Sequence, residues 1–389
     1  MPIRSEPPST ADLRGVLGRI LDPTALAGPP GGCLAVSAPG VEEVVAAGHR
    51  QVFDDNGPLI DRLPMTVDTA HDLGSVTKVV ATTALVMTLV DRGVMSLEDP
   101  VARLLPSWQD GVGGDATIAD LLLHRAGLWE WWPTYLSAST PTAALDLITS
   151  LPLRHPPRSG RYYSDLGFML LGQIIQAVTR ASLRDLAAEL VFDPLGMEST
   201  RYAAPPDGMP VAAGPRGDVI ERQMIATGKP YPIQAPVLGG FARWRENVTV
   251  GEVNDGNSFH AFAGVAGHAG VFSTAGDLLL FGRGLLDSLN GGGLWKPDTV
   301  RTFCAEGPDA GQAIGFRTYV SDVDGRRTTG VGHTGFPGTG LAILPDLDAT
   351  VVLLTNRLHV TTSPPPPPFQ PLWTQVLDGM VGLVAREDS

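Results

Sequence analysis

The sequence predicts a mixed α/β (α+β) fold: an antiparallel sheet built from the N- and C-terminal segments, flanked by helices, with a mainly helical inserted lobe. Three observations predict it. Strand-like segments gather at the two ends of the 389-residue chain. The middle shows apolar helical periodicity. One long apolar run, Val79–Val90, directly follows Gly74-Ser75-Val76-Thr77-Lys78. That run approaches membrane-span length, but Lys78 and its threonines mark it as a buried core helix.

The elements follow in order. A helix is expected over Ala11–Leu21. Cys33–Ser37 and Glu42–Gly48 form a hairpin around Pro39-Gly40. The helix that opens at Ser75 runs to Val90 and stops at Asp91-Arg92-Gly93. Thr117 begins a helix reaching His124, and Leu166–Val178 and Leu183–Leu190 are two more. Glu198–Val250, rich in Gly and Pro, reads as a long irregular excursion, a lid over a pocket. Asp277–Leu286 is helical. Strands are expected at Ala313–Val320, Val331–Thr334, Gly340–Leu344 and Ala349–Thr355, with Asp324-Gly325 as a turn. A last helix spans Leu372–Ala385, and Pro364–Pro368 is a stiff spacer before it. The expected organisation is one domain, 1–389, in two lobes. Residues 11–91 and 255–389 make the α/β lobe. Residues 92–254 make the mainly helical lobe, with its excursion at 198–250.

Composition narrows the function classes. Hydrophobic residues make up 43% and charged residues 18%, as in ordinary globular proteins. The net charge of −13 and the lack of a dense Lys/Arg cluster argue against nucleic acid as a partner. Two cysteines, Cys33 and Cys304, without a C-x-x-C pair, give no disulfide framework or zinc site, and their mutual pairing stays open. The N-terminal residues lack the apolar run of a signal peptide, so a soluble, cytoplasmic protein without membrane attachment is expected. The oligomeric state is not legible.

The chemistry starts from Ser75 and Lys78. Positions i and i+3 share a helix face, so both side chains point one way at the start of a buried helix. A buried lysine exchanges protons readily with a nearby hydroxyl. The helix N-terminus favours the negative charge that develops there. Two further segments fit acyl transfer. Tyr162-Tyr163-Ser164-Asp165 precedes the Leu166 helix, and a tyrosine beside an ammonium can serve as the base. His333-Thr334-Gly335 ends a strand, where glycine lets backbone N–H groups approach an oxyanion. Asp165 also suits the N-cap of the next helix. His268 and His124 read as packed structural histidines. Trp129-Glu130-Trp131-Trp132 is an aromatic cluster suited to a pocket wall, with Trp129, Trp131 and Trp132 as substrate-binding candidates. There is no G-x-S-x-G elbow, H-E-x-x-H or P-loop, so neither a cofactor nor a metal is expected.

The ordered motifs Ser75-Val76-Thr77-Lys78, Tyr163-Ser164-Asp165 and His333-Thr334-Gly335 resemble those of the serine β-lactamase and penicillin-binding-protein superfamily. The similarity is greatest to the class C branch, which includes family VIII carboxylesterases, D-amino-acid peptidases and amidases. It spans roughly Leu34–Arg357 and includes Leu122–Leu128, Gly264–Ser273 and Thr355-Asn356-Arg357. The resemblance implies a β-lactamase/transpeptidase-like fold with Ser75 as nucleophile, Lys78 as its proton partner and Tyr163 as general base. It implies an oxyanion hole from the backbone N–H groups of Ser75 and Phe336, with Thr334 and Gly335 beside the substrate.

Two departures shape the expected activity. Asp165 stands where many members carry Asn; a carboxylate accepts but does not donate, and it favours a charged Lys78. His333 stands where β-lactamases carry Lys and is mostly neutral at pH 7, so it holds a substrate carboxylate weakly. Both favour a carboxylesterase-like hydrolase of a small-molecule ester or amide with poor β-lactamase activity. Alternatives are an acyltransferase or cyclase using the same acyl-enzyme, and a muropeptide amidase or D-amino-acid peptidase. A sensor that is only acylated is disfavoured, because neither a membrane span nor a partner domain is legible.

Overall fold

The computed structural model describes residues 9–21, 28–105, 108, 115–233, 241–323, 325–360 and 368–384. The expectations for Pro364–Pro367, Asp324 and Ala385 lie outside the described residues. Strands are β1 (Gly31–Ala38), β2 (Val41–Asp54), β3 (Gly57–Pro64), β4 (His71–Asp72), β5 (Arg201–Tyr202), β6 (Val271–Ser273), β7 (Arg317–Val323), β8 (Arg326–Gly335), β9 (Thr339–Leu344) and β10 (Ala349–Thr355).

Seven of these form one antiparallel sheet in the order β3-β2-β1-β10-β9-β8-β7. The chain ends meet at its centre, where β1 pairs with β10 in the register Cys33↔Leu354 and Ala35↔Val352. β1, β9 and β10 are buried along their whole length, which matches their unbroken apolar composition. The sequence reading missed β3. Gly57-Pro58 opens it, Pro64 closes it, and most of its residues are exposed. Proline is tolerated in such an edge strand, where the missing N–H faces solvent.

Helices cover both faces. Thr10–Ile20 is capped by Ser9, whose side chain accepts from the Asp12 N–H. It buries Leu13, Val16, Leu17 and Ile20, spaced i, i+3, i+4, i+7. These pack with Trp373, Val376 and Met380 of helix Phe369–Val384 against Leu34, Val36 and Leu353 of the sheet. Truncating a core leucine such as Leu17 to alanine costs about 2–5 kcal/mol. Helix Ala275–Leu289 belongs to the larger core on the opposite face, which continues into helices Pro141–Ser150 and Asp165–Thr179. The excursion is mostly irregular, with β5 and the helix Val219–Thr227 inside it. Cys33 and Cys304 are free thiols, each pushed up to about 12 by burial.

The segment from Gly74 to Asp91 departs from a regular helix. It begins as a 3₁₀ turn at Gly74–Val76, widens to π-type winding over Lys78–Thr83, and becomes α-helical at Ala84–Asp91. It is long and apolar enough to cross a membrane, but 83% of it is buried inside the protein, as in a core helix. The three-stranded sheet β4-β6-β5 sits at its start and delivers the chain from Asp72 into the Ser75 turn.

Candidate active site

Ser75 sits on the 3₁₀ turn and Lys78 where the winding widens. Three residues per turn nearly eclipses i and i+3, so the two side chains meet directly. Lys78 Nζ donates to Ser75 Oγ at 2.9 Å and to the His268 carbonyl at 3.1 Å, and lies 2.7 Å from Asp165 Oδ1. Three oxygens thus surround the ammonium, two as hydrogen-bond acceptors and the Asp165 carboxylate as its ion-pair partner, and the side chain is fully buried. Burial alone would push the amine down. The Asp165 carboxylate and Tyr163 outweigh it and hold Lys78 above the ordinary lysine range. The arrangement thus favours the ammonium form of Lys78.

The second motif arrives on helix Asp165–Thr179. Its N-cap is Ser164, whose Oγ accepts from the Gly167 N–H. The cap role considered for Asp165 is thus corrected: Asp165 is the first helical residue, and its carboxylate is turned to Lys78. Tyr163 Oη donates to Ser75 Oγ at 2.9 Å. His124 is buried, its Nδ1 accepts from the Ser164 N–H, and its ring packs 4.6 Å from that of Tyr163. Burial, with Arg161 and Lys78 nearby, holds His124 well below its ordinary range, so it is a neutral packing partner.

The third motif ends β8. In the turn after it, the Gly338 N–H donates to the Gly335 carbonyl at 3.0 Å. A trans peptide sets N–H opposite C=O, so this bond aims the Phe336 N–H the other way. The turn abuts the nucleophile turn. Thr339 Oγ1 donates to the Leu73 carbonyl, and a Cβ on Gly74 (φ +50°) would lie 2.5 Å from Pro337 Cδ and 3.4 Å from the Phe336 nitrogen. Only glycine permits that approach.

A cavity of about 720 Å³ opens over Ser75, Tyr163 and Asp165, and His333, Thr334, Gly335 and Phe336 also line it. Of the tryptophans, Trp131 reaches it. Trp129 and Trp132 do not line it, which corrects the reading of all three as pocket wall. Trp129 stacks under Arg154 and donates to the Pro152 carbonyl, and Trp132 packs edge-on against it. The excursion borders the cavity through Ile220, Glu221, Met224 and Tyr231.

His333 is buried, its Nδ1 2.7 Å from the Thr334 carbonyl. Burial, then Arg317 and Lys78, hold it well below its ordinary range, so it is neutral. The permanent charge beside it comes from a residue the sequence reading missed. Arg317, the first residue of β7, lines the cavity, and its guanidinium lies 5.5 Å from the Tyr163 ring. Among the described residues it forms no ion pair, and its Nε is buried without a partner. Arg161 stands 5.9 Å from the same ring, its Nε bonded to Gln312.

An acidic wall lies elsewhere in the cavity. Glu221 accepts from Tyr135 Oη at 2.5 Å and is pushed up to about 8 by burial and by Asp255. Asp255 accepts from His268, which keeps it ionised despite burial. Outside this cavity, behind the nucleophile turn, Asp72 accepts from the N–H groups of Gly74 and Asn254, and burial pushes it up to about 6. These bonds close a ring running from Ser75 through Lys78, His268, Asp255, Asn254 and Asp72 to Gly74, holding the nucleophile turn on all sides. No sequence signal marks Arg317, Glu221 or Asp72, because only the fold joins them. Among the described residues no three or more His, Cys, Asp or Glu side chains converge as metal ligands do.

A family model described as Beta-lactamase matches residues 30–367. A Salmonella gallinarum protein carrying the provisional name D-alanyl-D-alanine carboxypeptidase is 30% identical over 347 residues, covering 82% of this chain and 77% of that protein. The D-amino acid amidase from Ochrobactrum anthropi SV3, solved with D-phenylalanine, superposes with a TM-score of 0.68 at 22% identity, covering 95% of this chain and 99% of that one. The class C beta lactamase from Rhodobacter sphaeroides gives 0.66 at 22% identity, over 97% and 100%. The two solved structures share the fold.

Proposed function

The chain belongs to the beta-lactamase family and is a serine hydrolase of amide or ester bonds, and on that premise we propose that it cleaves a small peptide or amide bearing a free carboxylate, through an acyl-enzyme on Ser75. Ser75 Oγ attacks the carbonyl carbon and gives its proton to Tyr163, which acts as base in its deprotonated form once the proton it donates to Ser75 Oγ in the resting site has passed to solvent. Lys78, its ammonium 5.1 Å from the Tyr163 ring, supplies the countercharge that form needs. The amides of Ser75 and Phe336 take up the oxyanion. Collapse expels the amine, which leaves with the proton held by Tyr163. Water then attacks the ester, Tyr163 takes its proton, and Ser75 recovers one as the acid departs. Lys78 stays charged throughout.

The observation that carries the substrate class is Arg317, a cation in the cavity with no counterion among the described residues. A carboxylate is the natural complement to a guanidinium, which offers paired N–H groups. The relative's provisional name, a carboxypeptidase, supports the same class. A neutral ester is the second reading, favoured by the neutral His333 where a lysine would otherwise stand.

The experiment compares three substrates: a peptide ending in D-alanyl-D-alanine, the same peptide as its C-terminal amide, and a p-nitrophenyl ester. The expected kcat/KM is highest for the free acid, by about tenfold or more over its amide. Equal rates on acid and amide, with the ester far ahead, select the second reading.

A further inference from the structure

We propose that Arg357 is a positioning residue for the oxyanion site, acting through the Phe336 carbonyl; this rests on the acyl-enzyme reading above. Arg357 Nε donates to the Phe336 carbonyl at 2.9 Å. Its guanidinium lies 5.4 Å from the Phe336 ring and 5.9 Å from that of Phe369, the first residue of the C-terminal helix. All three residues line the cavity, and Phe336 is 45% exposed.

The turn Gly335-Phe336-Pro337-Gly338 has three tied carbonyls. The Gly338 N–H holds that of Gly335, Thr355 holds that of Gly338 through both N–H and Oγ1, and Arg357 holds that of Phe336. Thr355 ends β10 and Arg357 follows two residues later, so the central sheet braces the turn from behind. The fit is close: a Cβ on Gly338 (φ +103°) would lie 2.8 Å from both Cγ and Cδ of Arg357. What remains outward is the Phe336 N–H. That N–H lies in the Gly335–Phe336 peptide plane, which the Gly335–Gly338 bond orients. Arg357 fixes the next plane, Phe336–Pro337, and so limits the rotation about the Phe336 Cα through which the first plane could tilt. Lysine cannot replace this tie, because it lacks the donor on Nε and the flat surface that meets two rings.

An oxyanion donor acts mainly in the transition state, so displacing it lowers kcat and leaves KM alone. The test uses full-length Arg357→Lys and Arg357→Gln. Active sites are counted by fluorophosphonate labelling, and an arylboronic acid mimics the tetrahedral adduct. For Arg357→Lys the expected result is a kcat per labelled site about 30-fold lower, KM within about twofold, and boronate affinity reduced by a similar factor. A residue that only stabilises the fold would lower the labelled fraction and Tm while leaving kcat per labelled site and boronate affinity unchanged. That outcome overturns the proposal, as does a rise in KM alone. If neither Arg357 variant folds, Phe369→Leu removes one face of the guanidinium's packing. It is expected to lower kcat and boronate affinity together by about threefold, and unchanged values there overturn the proposal. Ser75→Ala separates the two readings. If it still turns over substrate, the acyl-enzyme reading fails and this inference with it. If it is inactive while Arg357→Lys matches wild type, only this inference fails.

Discussion

Lys78 and Arg317 both hold a positive charge within 6 Å of the Tyr163 ring, yet among the described residues only Lys78 has a counterion. Lys78 is fully buried, ion-paired with Asp165 and bonded to Ser75 and to a carbonyl. Arg317 faces the cavity with no carboxylate partner among the described residues. A satisfied charge is part of the protein's own machinery. An unsatisfied charge in a cavity waits for a ligand, because leaving it unpaired costs free energy that a bound anion recovers. The same contrast holds among the acids. Asp218, bonded to His260 and Arg245, is held to about 2 despite burial, whereas Glu221, with no cation bonded to it, is pushed up to about 8.

The largest effect should come from breaking the Lys78 pair. Asp165→Ala leaves an ammonium buried without its partner and should cost about 3–5 kcal/mol in urea unfolding, together with at least about a hundredfold in kcat. Unfolding that matches wild type would mean the pair does not hold Lys78. Next comes Arg317→Gln. KM for a substrate with a free carboxylate should rise about 10- to 100-fold, the p-nitrophenyl ester should be unaffected, and Tm should hold or rise. A uniform loss on both substrates would make Arg317 part of the chemistry and erase the contrast.

Smaller, and confined to pH, is the effect of Glu221. Its folded value lies above the ordinary 4.5, so the folded state holds the proton more tightly. The resulting stability is complete below about 4.5 and is lost as pH rises through about 8. Wild type should therefore lose Tm between pH 5 and 9, and Glu221→Gln should flatten that slope. An identical slope in both proteins would count against the unpaired state of Glu221. Smallest is His333→Asn. Since His333 is already neutral, the variant should show the same pH dependence of kcat/KM between 6 and 8 as wild type. A shifted acid limb would show that His333 titrates there.

The paired half of the site was legible because its members lie in short motifs. Ser75 and Lys78 are three residues apart, Tyr163 and Asp165 two apart at a helix start, and His333, Thr334 and Gly335 end one strand. Local geometry alone brings each set together. The unpaired half was not legible. Arg317 reaches His333 only because β7 pairs with β8, with Arg317 opposite Gly332. Glu221 enters from the excursion, and Arg357 acts across the β10 end on a turn about twenty residues earlier. The central strands were read correctly from their apolar runs. The Pro-bounded edge strand Gly57–Pro64 was not, since its stability comes from pairing with β2 and not from its own composition. The uneven winding at Gly74–Asp91 was also invisible, because an apolar run has one period in sequence whichever turn it adopts. The aromatic run at Trp129–Trp132 misled for a related reason: burial among apolar neighbours and exposure to a cavity favour the same residues.

The central claim is that Ser75 carries the acyl group. Intact-mass spectrometry of wild type quenched during turnover of a p-nitrophenyl ester tests it most directly. The expected result is a mass increase of one acyl group, located by peptide mapping at Ser75 and absent from Ser75→Ala, which is also inactive. An adduct on another residue, or undiminished turnover by Ser75→Ala, would contradict it.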